Sequence, residues 1–498
     1  MKSLIILLFC IASIHIKANN LSISNISLTG QNTSSDFTLV QFDISWDNSW
    51  RLNNRRDAVW VFVKYRTATA WNHATLNYVD GTAANDGHTE ATGSTITTSS
   101  DGIGVFIYRD SDGNGSNNFT TVQIRWNYGT DGLGDDDIVD VQVFAIEMVY
   151  VPTGTFAAGD GTNGFTLTTI NTGLATTLPS GSGSLGGEAG GYPTGETAPD
   201  NDSWPNGYNA FYCMKYEASQ DQYVSFLNTL NGTQQAARVS AVTVGNFMED
   251  DDLQAAPVNR NGIKCQVAPS GSVAGIYAMD LDDDDIYDES NDGENIPVNW
   301  VFWGDHAAYL DWAGLRPMTD MEFEKACRGT ALPVAEEFAW GTTNIYATDF
   351  TFTNFGTASE GISNMGSNTG NALYNDTRFN TTGPIRGGIF AANATNKTRE
   401  ETGATYYGIM EMSGNNLELL VLETHATGRS FTGLHGDGEL NASGDADVTN
   451  WPTSSGTGAG YGGGSRNQNA GFLEVSLINS TSPASRALNY GIRGVRSE

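Results

Sequence analysis

Residues 38–46 read TLVQFDISW, and their alternation does not slip: Val40, Phe42, Ile44 and Trp46 share one face, and Gln41, Asp43 and Ser45 share the other. A period of two fits a half-buried strand and does not fit a helix, whose apolar positions recur every three to four residues. TVQIRW (121–126) repeats the pattern with Val122, Ile124 and Trp126. AVWVFVKY (58–65) is apolar on both faces, as a strand covered on both sides must be. IVDVQVFAI (138–146) closes the set, and turn-rich segments separate its members. Residues 19–147 are therefore expected to form an all-β sandwich domain. It carries no catalytic constellation, so its expected role is that of a spacer or adhesion module.

The rhythm changes after residue 147. YEASQDQYVSFLNTL (216–230) sets Tyr223, Phe226, Leu227 and Leu230 on one helical face behind a Ser219–Gln222 capping box. VFWGDHAAYLDWAG (301–314) reads as a second helix. RPMTDMEFEKACRG (316–329) reads as a third, capped by Thr319 and Glu322 and ended by Gly329. Residues 172–196 are rich in Gly, Ser and Thr and are expected to be a surface loop. Beyond 330 periodicity fades into long loops. Residues 148–498 are thus expected to be a second domain of α+β class, rich in loops.

Residues 1–18 read as a signal peptide: Lys2, a short apolar run from Leu4 to Ile16, then Lys17 and Ala18. The run is too short to span a bilayer comfortably. Cys10 falls inside it, which leaves Cys213, Cys265 and Cys327, an odd number that permits at most one internal bridge. No Cys-x-x-Cys occurs, so zinc-ribbon and thioredoxin-like chemistry have no ligands. A net charge of −32, from 25 basic and 57 acidic residues, repels nucleic acid and anionic lipid.

Clustered carboxylates are hard-cation ligands, and two stretches have the alternate spacing that aims short side chains at one ion. In RDSDGNGSNN (109–118) these are Asp110, Asp112 and Asn114; an ordinary Asx turn is the other reading. In 277–300 they are Asp280, Asp282, Asp284 and Asp288, with Asp285 where an EF-hand has glycine and Asn291 where it has glutamate. So many carboxylates repel unless a counterion sits among them. Structural calcium is expected there.

MVYVPTGTFAAGDG, FYCMKYEASQDQYVSFLN, PVNWVFWGDHAAYLDWAGLRPMTDMEFEKACRG, YYGIMEMSGN and the closing GGGS…YGIRGVR occur in the order found in the formylglycine-generating enzyme, or sulfatase-modifying factor, family. The resemblance covers about residues 148–498. It implies a C-type-lectin-like α+β fold, rich in loops, with bound calcium. It also implies copper held by two cysteines in the closing tract, or, in related sulfoxide synthases, iron held by three histidines. Neither set is present. Ser465 to Tyr490 holds no cysteine, and His73, His88, His306, His425 and His435 show no metal-binding spacing. Leu417 stands where the family commonly has tryptophan, and Arg466 where an aromatic residue is typical.

The same tract resembles the variable region of retroelement-diversified proteins. There Gly463, Gly464, Ser465, Val475, Ser476, Arg486, Gly491 and Arg493 would be fixed scaffold. Arg466, Asn467, Asn469, Phe472, Leu477, Ile478, Asn479, Thr481, Ser485, Leu488 and Tyr490 would face a ligand. An ordinary drifted tail with some of these in the core is the other reading. The expected function is an exported, secreted or cell-surface, non-catalytic protein binding a protein or glycan ligand: a pseudoenzyme without copper or iron. The alternatives are retroelement-diversified display and a metal-dependent enzyme with a diverged site using His435, Asp437 and Glu439.

Overall fold

The computed structural model describes residues 20–163, 167–174, 201–249, 256–375 and 382–497. The expected signal peptide, and all but the first residues of the Gly/Ser/Thr-rich stretch, lie outside them. The chain divides into two compact units: residues up to Met148 together with Asp437–Glu439, and Val149–Gly436 with Leu440–Glu498.

The first unit is built from β1 (Ser22–Asn32), β2 (Phe37–Leu52), β3 (Arg55–Arg66), β4 (Asn72–His73), a one-turn helix α1 (Ala83–Asp86), β5 (Ser94–Thr98), β6 (Val105–Arg109), β7 (Gly113–Trp126) and most of β8 (Asp140–Val151). β2 lies between β1 and β7, both antiparallel to it. Its alternation is the one read from sequence: Thr38, Val40, Phe42, Ile44 and Trp46 are buried while their neighbours are partly exposed. A two-residue turn leads to β3, which carries β4 and β6 on antiparallel ladders, with β5 beyond β6. The inward residues of β2 and β7 join Val59, Val61 and Val63 of β3, Ile96 and Ile107 in one hydrophobic cluster, so two layers share a core. β3 is buried on both faces, and Phe62, on the face away from that cluster, stacks on Phe144.

The 109–118 loop is shorter than expected. Gly113–Asn118 belong to β7, and Asn114 lies in register opposite Trp50. The ladder needs only backbone amides and carbonyls, so a polar, glycine-rich run can pair on a strand that is itself well anchored.

The second unit contains a mixed sheet in the order β11 (Phe211–Met214), β19 (Gly494–Ser497), β14 (Arg316–Thr319), β17 (Glu418–Val421) and β18 (Ala459–Gly462). Three two-stranded ribbons accompany it: β9 (Phe156–Ala158) with β10 (Thr168–Ile170), β12 (Ile263–Val267) with β13 (Ile276–Met279), and β15 (Phe352–Thr353) with β16 (Gly361–Ile362). Helices α2 (Gln220–Leu227), α3 (Gly232–Arg238), α4 (Trp303–Trp312), α5 (Asp320–Arg328), α6 (Ile389–Asn393) and α7 (Ala426–Arg429) complete it.

Both halves of the Ser219–Gln222 and Thr319–Glu322 capping boxes form, which fixes where α2 and α5 start. Arg316–Thr319, leading into the Thr319 cap, forms β14, which pairs with both β17 and β19. α4 is buried all round. α3 was not foreseen, although Asn231 and Gln234 form a third capping box. The mostly strand architecture has few helices among the described residues.

Candidate ligand-binding surface

The closing tract is neither frayed nor extended over the surface. Its last residues form β19 between β11 and β14, with Ile492, Arg493, Val495 and Arg496 fully buried. Before it, residues 463–491 run as loops pinned at intervals. Gly463 and Gly464 take φ of +76° and +63°, and a Cβ on them would stand 2.7 Å from Met412 O and 2.5 Å from Phe472 O. No other residue fits either constraint. Ser465 accepts from Asn489 Nδ2 and donates to Asn467 Oδ1. Val475 N donates to Glu337 O, and Ser476 Oγ accepts from Arg328. Arg486 makes a two-pronged pair with Asp305 on α4, at 2.8 and 2.9 Å.

Between these pins many side chains turn outward, although Leu473 and Pro483 are buried. Asn467, Asn469, Thr481 and Ser485 are exposed, Phe472 is 42% exposed, and Leu477, Ile478, Asn479, Leu488 and Tyr490 are partly exposed. The asparagines also shape the loops: Asn469 Oδ1 accepts from Gly471 N, and Asn479 Oδ1 from Thr481 N. Asn479 pairs with Tyr461 of β18 through both backbone groups, and the Tyr461 and Tyr490 rings meet at 5.5 Å. The result is a largely uncharged patch of amides, aromatic rings and aliphatic side chains.

Arg466 corrects the expected set. It is 1% exposed, its guanidinium donates to Asn259 Oδ1 and Leu488 O, and its backbone N donates to Asn415 O. A cation that deep, bonded to carbonyl oxygens, is part of the support and not of the surface.

Below the patch lies a second buried polar layer. Arg493 donates to Glu418 Oε1, Met214 O and Met410 O at 2.8–2.9 Å. Glu217 accepts from Asn415 Nδ2 and Asn416 N, and Glu411 from Gly388 N. Burial raises all three carboxyls, Glu411 to about 7. Arg493 offsets the effect only in part. This layer joins the MSGNN block to the end of the chain; sequence pattern gives the two blocks but not their pairing.

Asp280, Asp282 and Asp284 bring carboxylate oxygens within 4.8 Å of one another, alone in doing so among the described Asp, Glu, His and Cys side chains. The expected counterion to this loop has a protein counterpart. Lys264 Nζ, on β12, donates to Asp280, Asp283 and Asp285 at 2.7–2.8 Å, and these contacts raise its pKa despite burial. Asp288 turns aside to accept from Met279 N. In the first unit, Asp112 accepts from Asn53 N, Asp110 sits at the start of the shortened loop, and Asn114 is in β7.

The residues do not fit copper or the three-histidine iron site. Cys213, Cys265 and Cys327 are unbridged and buried, and burial holds their thiols protonated, Cys213 up to about 12. His435 Nε2 accepts from Ser497 N, His425 caps α7 and His88 is bonded to Thr98 and Arg125. His306 is buried against Trp303, and burial keeps it neutral. Asp437 accepts from Glu439 N, and Glu439 from His73 N.

Residues 140–498 match the family described as sulfatase-modifying factor enzyme 1-like domain. Among curated proteins none matches the chain. Two solved structures are similar to it: PvdO from Pseudomonas aeruginosa, at 15% identity and TM-score 0.31, covering 71% of this chain and 95% of its own; and Treponema denticola variable protein 1, at 11% identity and TM-score 0.31, covering 71% and 96%.

Proposed function

From the premise that this chain belongs to the sulfatase-modifying factor enzyme 1-like family, we propose that it is an exported, non-catalytic member that binds a ligand through the exposed side chains of residues 467–490. The observation carrying this reading is the division of that tract. Gly463, Gly464, Ser465, Val475, Ser476, Gly491 and Arg493 are buried and Arg486 is pinned, while the residues expected to face a ligand are at least partly exposed, with Arg466 the exception; Leu473 and Pro483, also between the pins, are buried. A patch of amides and aromatic rings on rigid anchors is suited to a protein or glycan partner. The chemistry of the family's copper enzymes needs thiolates that the tract does not supply.

Two measurements test this. Purified chain offered copper and a sulfatase-type cysteine peptide should hold no stoichiometric copper and should leave the cysteine unconverted; robust conversion ends the proposal. Replacing Asn467, Phe472, Thr481 and Ser485 together by alanine should leave the melting temperature within a few degrees, as a display surface permits. Unfolding by that variant would place the tract among core-forming segments and count against it.

The same division favours a second reading, retroelement-diversified display, because most of the residues that would vary are at least partly exposed. It requires a near-identical template repeat and a reverse transcriptase gene beside the locus, which sequencing would reveal.

A further inference from the structure

Five branched aliphatic side chains stand in solvent around the β12–β13 ribbon. Val242, Val244, Val267, Val273 and Ile276 are each between 38% and 67% exposed. Val267 and Ile276 are cross-strand partners, so they lie side by side on one face. Val273 closes the ribbon's turn by exchanging both backbone hydrogen bonds with Ser270. Val242 and Val244 lead into a third extended segment: Gly245 N donates to Cys265 O, Cys265 N to Asn246 O and Met248 N to Ile263 O. Segments 240–248 and 263–279 hold one charged side chain, Lys264, and it is buried. The acidic loop leaves from the other end of the ribbon, where Ile263 pairs with Met279.

A single exposed apolar residue needs no explanation, but a group of them marks a contact site. The structure narrows what covers this one. An extended peptide adds to a strand edge, and the outer edge of β13 is taken. Asn228, at the end of α2, bonds the amide and carbonyl of Tyr277, and Gln235 of α3 bonds those of Gly275, as a neighbouring strand would. A charged partner finds no exposed counter-charge on these segments. An anionic bilayer repels a chain of net charge −32, and the ribbon offers no exposed lysine or arginine to offset that. What fits is a second uncharged aliphatic surface, and the chain itself supplies one. In a two-fold contact each copy presents the same residues to the other. Branched aliphatic side chains pack against their own kind, whereas the acidic remainder of the surface repels a copy of itself.

We propose that this face of the β12–β13 ribbon is where two copies of the chain meet in a symmetric dimer, with Val267 and Ile276 in the contact. A stable complex uses about 20–30 residues a side. This patch is smaller, and the net charge of each copy opposes the encounter, so the dimer is weak and salt strengthens it. That sign is the opposite of an association held by ion pairs. The proposal does not depend on the ligand reading of residues 467–490.

The test is sedimentation velocity on the purified chain across the micromolar range, at about 0.01 M and about 0.1 M salt, where charges act over about 30 Å and about 10 Å. The dimer fraction should rise with protein concentration and be several-fold larger at the higher salt. Val267→Asp and Val244→Asp should each weaken association at least tenfold, by setting like charges face to face. Leu332→Asp, at an exposed apolar residue outside the ribbon, should change it less than twofold. All three variants should melt within a few degrees of the parent. Val244 lies outside the paired strands, so its variant keeps the test readable if Val267→Asp folds poorly. A monomer at both salt concentrations, association that falls as salt rises, species that keep growing beyond two copies, or a loss of association as large for Leu332→Asp as for Val244→Asp would each overturn the proposal.

Discussion

Two clusters of buried charge hold the closing tract in place, and their charges are balanced differently. At α4, Asp305 faces two arginines, Arg486 at 2.8 Å and Arg238 at 3.4 Å, and Arg238 reaches Asp445 as well. Beside β19, one arginine, Arg493, serves Glu418 while Glu217 and Glu411 lie close enough to feel its charge. The first cluster is balanced by whole charges. The second makes up its deficit with dipoles, the amides of Asn415, Asn416 and Gly388, and with protons. A cluster short of cations is a titrating element in the core.

The largest effect should come from removing the guanidinium that bonds Glu418 in the deficient cluster. Arg493→Met should cost about 3–5 kcal/mol in urea unfolding, because it strands Glu418 and worsens the field on Glu217. A cost below about 1 kcal/mol would show that protons already neutralise the whole cluster.

Next comes Glu411, whose pKa is lifted from 4.5 to about 7. Between those values the folded chain keeps a proton that the unfolded chain releases. Stability therefore falls as pH rises from about 4.5 to about 7, and the loss is complete above 7. Glu411→Gln should remove that slope and stabilise the protein at pH 8 by at most about 3 kcal/mol, with no gain at pH 4. Parallel urea curves at the two pH values would read the difference, and an equal effect at both would deny the titration.

In the balanced cluster Arg486→Met should cost less than Arg493→Met, about 2 kcal/mol, because Arg238 still faces Asp305. Equal costs for the two variants would erase the contrast. The smallest effect belongs to the surface above: Phe472→Ser should move stability by no more than about 0.5 kcal/mol.

The sequence made legible what depends on near neighbours. The alternation of β2 and the capping boxes of α2 and α5 rest on residues two to four positions apart, and each is found where its pattern predicts. In the closing tract, glycine and serine positions foretold the pins. What stayed illegible depends on distant partners. The role of Lys264 as counterion links residues 16 to 21 positions apart. Arg466 looked like a surface substitution because its acceptors, Asn259 Oδ1 and Leu488 O, lie elsewhere in the chain. The one local signal overlooked was Asn-x-x-Gln at 231–234, which caps α3 as plainly as the two boxes that were recognised.

The state of the three described thiols has a practical use. Cys213, Cys265 and Cys327 are shut away and held protonated, so maleimide or a disulfide-bearing probe should pass the native fold by. A single cysteine introduced at Thr481 or Ser485 would then be the reactive handle among these residues, and a photocrosslinker tethered there would report whatever molecule rests on the patch.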